Sequence, residues 1–160
     1  MFITGILSII GSGGPRYIIK APPVTTSNAV FEAKLTPVCS NGCTSFILSI
    51  RNLSDKDIEL DWNKTLFIAN GTTSGGFMFE GVLYRDRNNQ KAPDMIFAKG
   101  TFTKAIYPNN LVEYRSGQYG GWDHTSMGTG ENGVYLTVKV GNEEIKEKIT
   151  TNISVSAITQ

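Results

Sequence analysis

Apolar and polar residues alternate with a period of two in segment after segment of this chain, and nothing else in the sequence constrains the fold as strongly. In "VFEAKL", Phe31, Ala33 and Leu35 share one face while Glu32 and Lys34 take the other. "FILSIR" groups Phe46, Leu48 and Ile50, and "DIELDW" turns Ile58, Leu60 and Trp62 inward with Asp57, Glu59 and Asp61 outward. "YLTVKV" sets Leu136, Val138 and Val140 against Thr137 and Lys139. In the last segment Ile145, Ile149, Ile153 and Val155 share a parity, with Lys146, Lys148 and Asn152 opposite. Successive strand side chains point to opposite faces, so this pattern is that of half-buried strands. "GFMFEGVLY", from Gly76 to Tyr84, is apolar enough to be a central strand, and Gly141-Asn142 suits a two-residue hairpin turn. No stretch keeps a helical period for three turns. A chain of 160 residues can bury one good core. The expectation is an all-β fold, an antiparallel β-sandwich of about eight strands spanning residues 29–160.

Upstream of that domain the chain reads differently. "FITGILSII", Phe2 to Ile10, is an apolar run followed by "GSGGPR". It is too short to cross a bilayer, which takes roughly twenty apolar residues. It fits the apolar core and small-residue exit of a secretory signal, although no Lys or Arg precedes it. Residues 1–14 are therefore read as an export signal, with a first strand or a membrane anchor as the other readings. No cysteine follows the run, so lipidation is unsupported. Residues 15–28 contain Pro22, Pro23 and a Thr/Ser stretch, and read as a tether between this segment and the domain.

Two glycine clusters look like nucleotide motifs and are not. Gly128, Gly130 and Gly133 in "GTGENGVYLTVKV" spell G-x-G-x-x-G. That fingerprint needs a helix after it, whose N-terminal amides face a pyrophosphate. An alternating strand follows here instead. Gly71 and Gly76 have P-loop spacing, but Phe77 and Met78 stand where Lys and Ser/Thr are required. No nucleotide and no cofactor is expected. Lys plus Arg (15) nearly balance Asp plus Glu (14), so no electrostatic footprint for nucleic acid appears. "DRNNQKAPDMIF" begins like a calcium loop at Asp86, Asn88 and Gln90, yet Lys91 and Phe97 occupy its glycine and glutamate positions. His124 is the sole histidine, and no G-x-S-x-G elbow is present; no metal site is expected, and a hydrolase centred on His124 is the least favoured reading.

Cys39 and Cys43, in "CSNGC", bracket Asn41-Gly42, a reversal signal between two alternating strands. The expectation is a disulfide pinning that hairpin end, which agrees with an oxidising compartment. Asn-x-Ser/Thr triplets at Asn52, Asn63, Asn70 and Asn152 are at the level composition alone produces.

The longest stretch without strand pattern is residues 107–132, which carries Tyr107, Tyr114, Tyr119 and Trp122 on a glycine-rich background. Recognition on a β scaffold falls to its loops, and aromatic rings contribute contact area at little entropic cost. Tyr114, Arg115, Tyr119, Trp122, Asp123 and His124 are the candidate binding residues, with Tyr119 and Trp122 as anchors for a protein or glycan partner. The competing reading makes Trp122 a lid of the core.

"LSIRNLSDKDIELDW", residues 48–62, resembles the strand–Asn–turn–strand segment of small immunoglobulin-like domains in bacterial envelope proteins and lipoproteins. The resemblance implies an immunoglobulin-like, exported, non-enzymatic sandwich, periplasmic, cell-surface or extracellular, and carries no site residues. The expected function is a binding or assembly module of a cell envelope or extracellular structure, with a phage or virion decoration or exclusion protein as the alternative. Membrane association would come only through the N-terminal segment, if it is retained.

Overall fold

The computed structural model describes residues 6–10 (backbone only), 16–116 and 121–158. Among them fifteen strands and three short 3-10 turns are formed. The first five strands are β1 (Ile6–Ile10), β2 (Tyr17–Ala21), β3 (Val24–Ser27), β4 (Phe31–Cys39) and β5 (Cys43–Asn52). Next come β6 (Ile58–Leu60), β7 (Leu66–Ala69), β8 (Thr72–Thr73), β9 (Phe77–Met78) and β10 (Asp94–Ile96). The remainder are β11 (Thr101–Pro108), β12 (Val112–Tyr114), β13 (Trp122–His124), β14 (Gly130–Val140) and β15 (Glu143–Ala157). All pairings are antiparallel. One sheet runs β1-β2-β15-β14-β6-β10, with β7 also on β14 and β8 on β7. A second runs β3-β4-β5-β11-β9, and β12-β13 is a separate ribbon.

The strand count exceeds the expected eight because many pieces span only two to five residues, too few to display an alternation. The long strands follow the sequence. Phe31, Ala33 and Leu35, then Phe46, Leu48 and Ile50, then Ile58, Leu60 and Trp62 are all buried, as are Leu136 and Val138. Residues from both large sheets join one apolar cluster, so each sheet covers the other's inner face. The β14–β15 hairpin pairs Val140 with Glu143 across Gly141-Asn142, Gly141 taking φ +61°. Thr137 departs from its outward assignment. It is fully buried because the 3-10 turn Trp62–Lys64 lies over it, and its hydroxyl donates to the Lys64 carbonyl at 2.9 Å.

Residues 17–27 are not a tether. Pro22 and Pro23 fall between β2 and β3, where no ladder hydrogen bond is needed. β2 pairs with β15 and β3 with β4, so the two prolines carry the chain from one sheet to the other. Ile19 and Ala21 are buried, and the Pro22 carbonyl accepts a 2.6 Å hydrogen bond from Thr151. Residues Ile6–Ile10 lie against β2 as the edge strand, in register from Ile6 with Ala21 to Ile10 with Tyr17.

The disulfide joins Cys39 and Cys43, with Cα atoms 3.9 Å apart at the end of the β4–β5 hairpin. The glycines of "GTGENG" deliver the chain into β14 rather than into a helix. Gly133 is required there, since a Cβ would collide with the Ile149 carbonyl of the paired strand.

The segment "RNLSDKD" is held by its asparagine. Asn52 is fully buried; its side-chain nitrogen donates to the carbonyls of Lys56 (2.7 Å), Ile96 (3.1 Å) and Phe97 (3.2 Å). Its oxygen accepts from the Ser54 amide at 2.9 Å and the Ser54 hydroxyl at 2.7 Å. One side chain thus closes the β5–β6 turn and ties it to the end of β10.

Residues 76–84 are not a central strand. Only Phe77 and Met78 pair, at the edge of the second sheet beside β11. Both are buried, and the chain then leaves the sheet for an irregular excursion up to Asp94. Its start is pinned by Phe79, whose ring lies 4.0 Å below the Lys104 ammonium and 5.0 Å from Trp62. Asp94 receives hydrogen bonds from Lys104 and from the Trp62 indole, both at 2.8 Å, so the cation sits between aromatic rings and a carboxylate.

Candidate functional site

The stretch 107–132 is less loop-like than its composition suggests. Residues 107 and 108 end β11, and Val112–Tyr114 pairs with Trp122–His124 as a small ribbon. Val112 is buried and roots the ribbon, while Tyr114 is 60% exposed. Register places Tyr114 opposite Trp122, Glu113 opposite Asp123 and Val112 opposite His124. The ribbon projects from the body toward the excursion that follows β9.

Trp122 joins the two. Its indole N–H donates to the Val82 carbonyl at 3.0 Å, across 40 residues of sequence. Tyr107 meets its ring edge-on at 5.0 Å between centroids. On the excursion, the 3-10 turn Tyr84–Asp86 presents Tyr84, whose ring lies 5.7 Å from Tyr114. The Arg87 guanidinium covers another part of the Tyr84 ring at 4.0 Å, which restrains that ring. Between ribbon and excursion opens a cleft of about 450 Å³, lined by Val82, Leu83, Tyr84, Arg85, Tyr114 and Trp122, among others. Leu83 is 54% exposed at its rim. Trp122 is half-buried and stands outside the main apolar cluster, so it is a wall of this cleft.

On the other side of Trp122 lies a shallower, more polar cleft of about 460 Å³, with Glu80, Tyr107, Arg115, Asp123 and His124 among its lining. Arg115 and Asp123 form an exposed ion pair at 3.2 Å, a contact of little energetic weight. His124 packs edge-on against Tyr107 at 4.9 Å. Among the described residues its imidazole has no hydrogen-bond partner. No group of three His, Cys, Asp or Glu side chains among the described residues is placed to hold a metal.

The structure therefore brings Tyr114, Arg115, Trp122, Asp123 and His124 to one end of the fold, with Tyr114 and Trp122 facing one cleft and the three polar residues the other. Tyr119 lies outside the described residues. Sequence reasoning missed Val82, Leu83 and Tyr84, because the apolar run they belong to reads as strand, and Arg85, which follows it directly. Gly81, with φ +96°, and the polar "YRDRNN" after it were the signal that the strand had ended.

A further open cleft, of about 540 Å³, lies under the same excursion beside Lys91 and Lys104. Burial pushes the Lys91 ammonium below its ordinary value, and it donates to the Arg87 carbonyl at 2.7 Å, fastening the 3-10 turn that carries Tyr84.

Among the described residues no helix is long and apolar enough to cross a membrane. Comparison with family models, with curated proteins and with solved structures finds no match to this chain.

Proposed function

We propose that this chain is a non-enzymatic binding or assembly module of a cell envelope or extracellular structure, built on an immunoglobulin-like sandwich, that engages a protein or glycan partner through the Trp122 cleft. The observation that carries the reading is the aromatic cleft itself. Tyr84, Tyr114 and Trp122 converge from two segments far apart in sequence, with Tyr114 exposed and Tyr84 and Trp122 half-buried, the tyrosine rings held by mutual contact and Trp122 by its indole bond to Val82. Exposed aromatics in a preformed, mainly apolar recess are the usual anchors of recognition surfaces. The Cys39–Cys43 disulfide supports an oxidising destination.

The test is a photo-crosslinking residue at position 114 in the protein expressed in its source organism, with the same residue at position 155 as the control. Val155 is 44% exposed on β15. The reading expects a discrete adduct from position 114, lost on Trp122→Ala, and none from 155. Equal adducts at both positions, or none at 114, would refute it.

A further inference from the structure

We propose that the Trp122 cleft takes a proline-rich segment of a partner protein in the extended polyproline conformation, with an acidic residue of that segment against Arg85. The inference rests on the cleft being the binding site and names its occupant.

Hydrogen-bonding capacity selects this class. Among the described lining residues the polar side chains are the Tyr84 and Tyr114 phenols and the Arg85 guanidinium; there is no carboxylate and no side-chain amide. Neither phenol hydroxyl has a hydrogen-bond partner among the described residues, so each can donate one hydrogen bond and accept another. The indole N–H of Trp122 and the Val82 carbonyl already satisfy each other. A sugar ring brings several hydroxyl donors, more than the two phenol oxygens that are the side-chain acceptors of the lining, and a donor left unmatched in a recess costs its desolvation. Consecutive prolines bring carbonyl acceptors and no N–H donors, so they need what this cleft offers.

Shape and charge agree. Proline rings pack between aromatic side chains, and the polyproline helix is already ordered before it binds. The cleft is ordered too, since Trp122 is held by Val82 and Tyr107, and Tyr84 by Arg87. Arg85 is the charged residue of the lining, its side chain 81% exposed and its nearest carboxylate, Asp86, 3.9 Å away. That leaves its guanidinium available to an incoming carboxylate. The chain's own Pro22-Pro23 cannot serve, because it is fixed between β2 and β3 with the Pro22 carbonyl bonded to Thr151. The occupant comes from another protein.

The experiment titrates the intact ¹⁵N-labelled protein with a short blocked polyproline peptide carrying one aspartate. A matched peptide carrying lysine in its place and a chitin oligosaccharide are titrated in parallel. The aspartate peptide should move the Trp122 indole resonance and the amides of residues 82–85, leaving the Trp62 indole in place. Tyr84→Phe, which deletes one donor and keeps the ring, should weaken binding about fivefold, and Arg85→Glu should reverse the aspartate-over-lysine preference. If no peptide moves the cleft at about 1 mM while crosslinks still form at position 114, the peptide inference falls and the binding reading stands. The same holds if the oligosaccharide alone moves it. If neither ligand binds and no crosslink forms, both fall.

Discussion

Replacing Asn52 by Ala tests whether one buried amide organises the end of the fold from which the excursion departs. Asn52 is fully buried and takes part in five side-chain hydrogen bonds to Ser54, Lys56, Ile96 and Phe97. Ser54 and Lys56 lie near the surface, so water can replace the amide there at small net cost. The Ile96 carbonyl is buried, whereas the Phe97 carbonyl beside it is partly exposed and keeps a 2.8 Å hydrogen bond from the Gly100 amide. One orphaned buried group costs about 1–3 kcal/mol, so the loss is about 2 kcal/mol. For a chain of this size 1 kcal/mol moves Tm by about 2–4 °C, so Asn52→Ala should lower Tm by roughly 6 °C. Asn52→Asp should be worse near neutral pH, where a carboxylate would face the two carbonyls, and should recover as the pH falls and the acid becomes a donor again. Thermal melts followed by circular dichroism decide the matter. A drop of less than about 3 °C for Asn52→Ala would mean that the network follows the turn rather than holding it.

Trp122→Phe should cost about 1 kcal/mol, the worth of the bond to Val82, and lower Tm by about 3 °C; a fall above about 12 °C would return Trp122 to the core. Reducing the disulfide, or the pair Cys39→Ala and Cys43→Ala, should cost about 2 kcal/mol for so short a loop, measured as the Tm difference with and without reductant; an unchanged Tm would contradict it. The Glu131 carboxyl is held below its ordinary value of 4.5 mainly by the hydrogen bond from Lys148, then Thr150, and Glu144 mainly by that from Lys64. Such stabilisation is present above the ordinary glutamate value and lost as pH falls through the lower folded value. Tm should therefore fall less between about pH 5 and pH 3 in Glu131→Gln/Glu144→Gln than in the parent, by a small margin because both groups are exposed.

The long strands were legible because each has one buried face and a run long enough to show it. Phe31 to Leu35 and Phe46 to Ile50 are the clearest cases, and the hairpin at Gly141-Asn142 followed from its turn residues. Short pieces were not legible. Pro22-Pro23 reads as a tether, yet prolines also occupy a corner between two sheets, and only the partners of Ile19 and Ala21 distinguish the two. At residues 76–84 the apolar run hides a change of role, since Phe77 and Met78 go into the core while Val82 and Leu83 line a cleft. Tyr114 and Trp122 could be named as candidates from their setting. Tyr84 could not, because what makes it part of the site is the indole bond from Trp122 to Val82, forty residues away.

Hydrogen–deuterium exchange of the protein alone and in complex with the partner crosslinked at position 114 tests the central claim most directly. The account predicts slowed exchange confined to the amides of residues 81–86 and 112–116 and of 121–124, with the interior strand β15 and the edge strand β10 unchanged. Protection centred on either of those strands, with the Trp122 cleft exchanging as in the free protein, would contradict it.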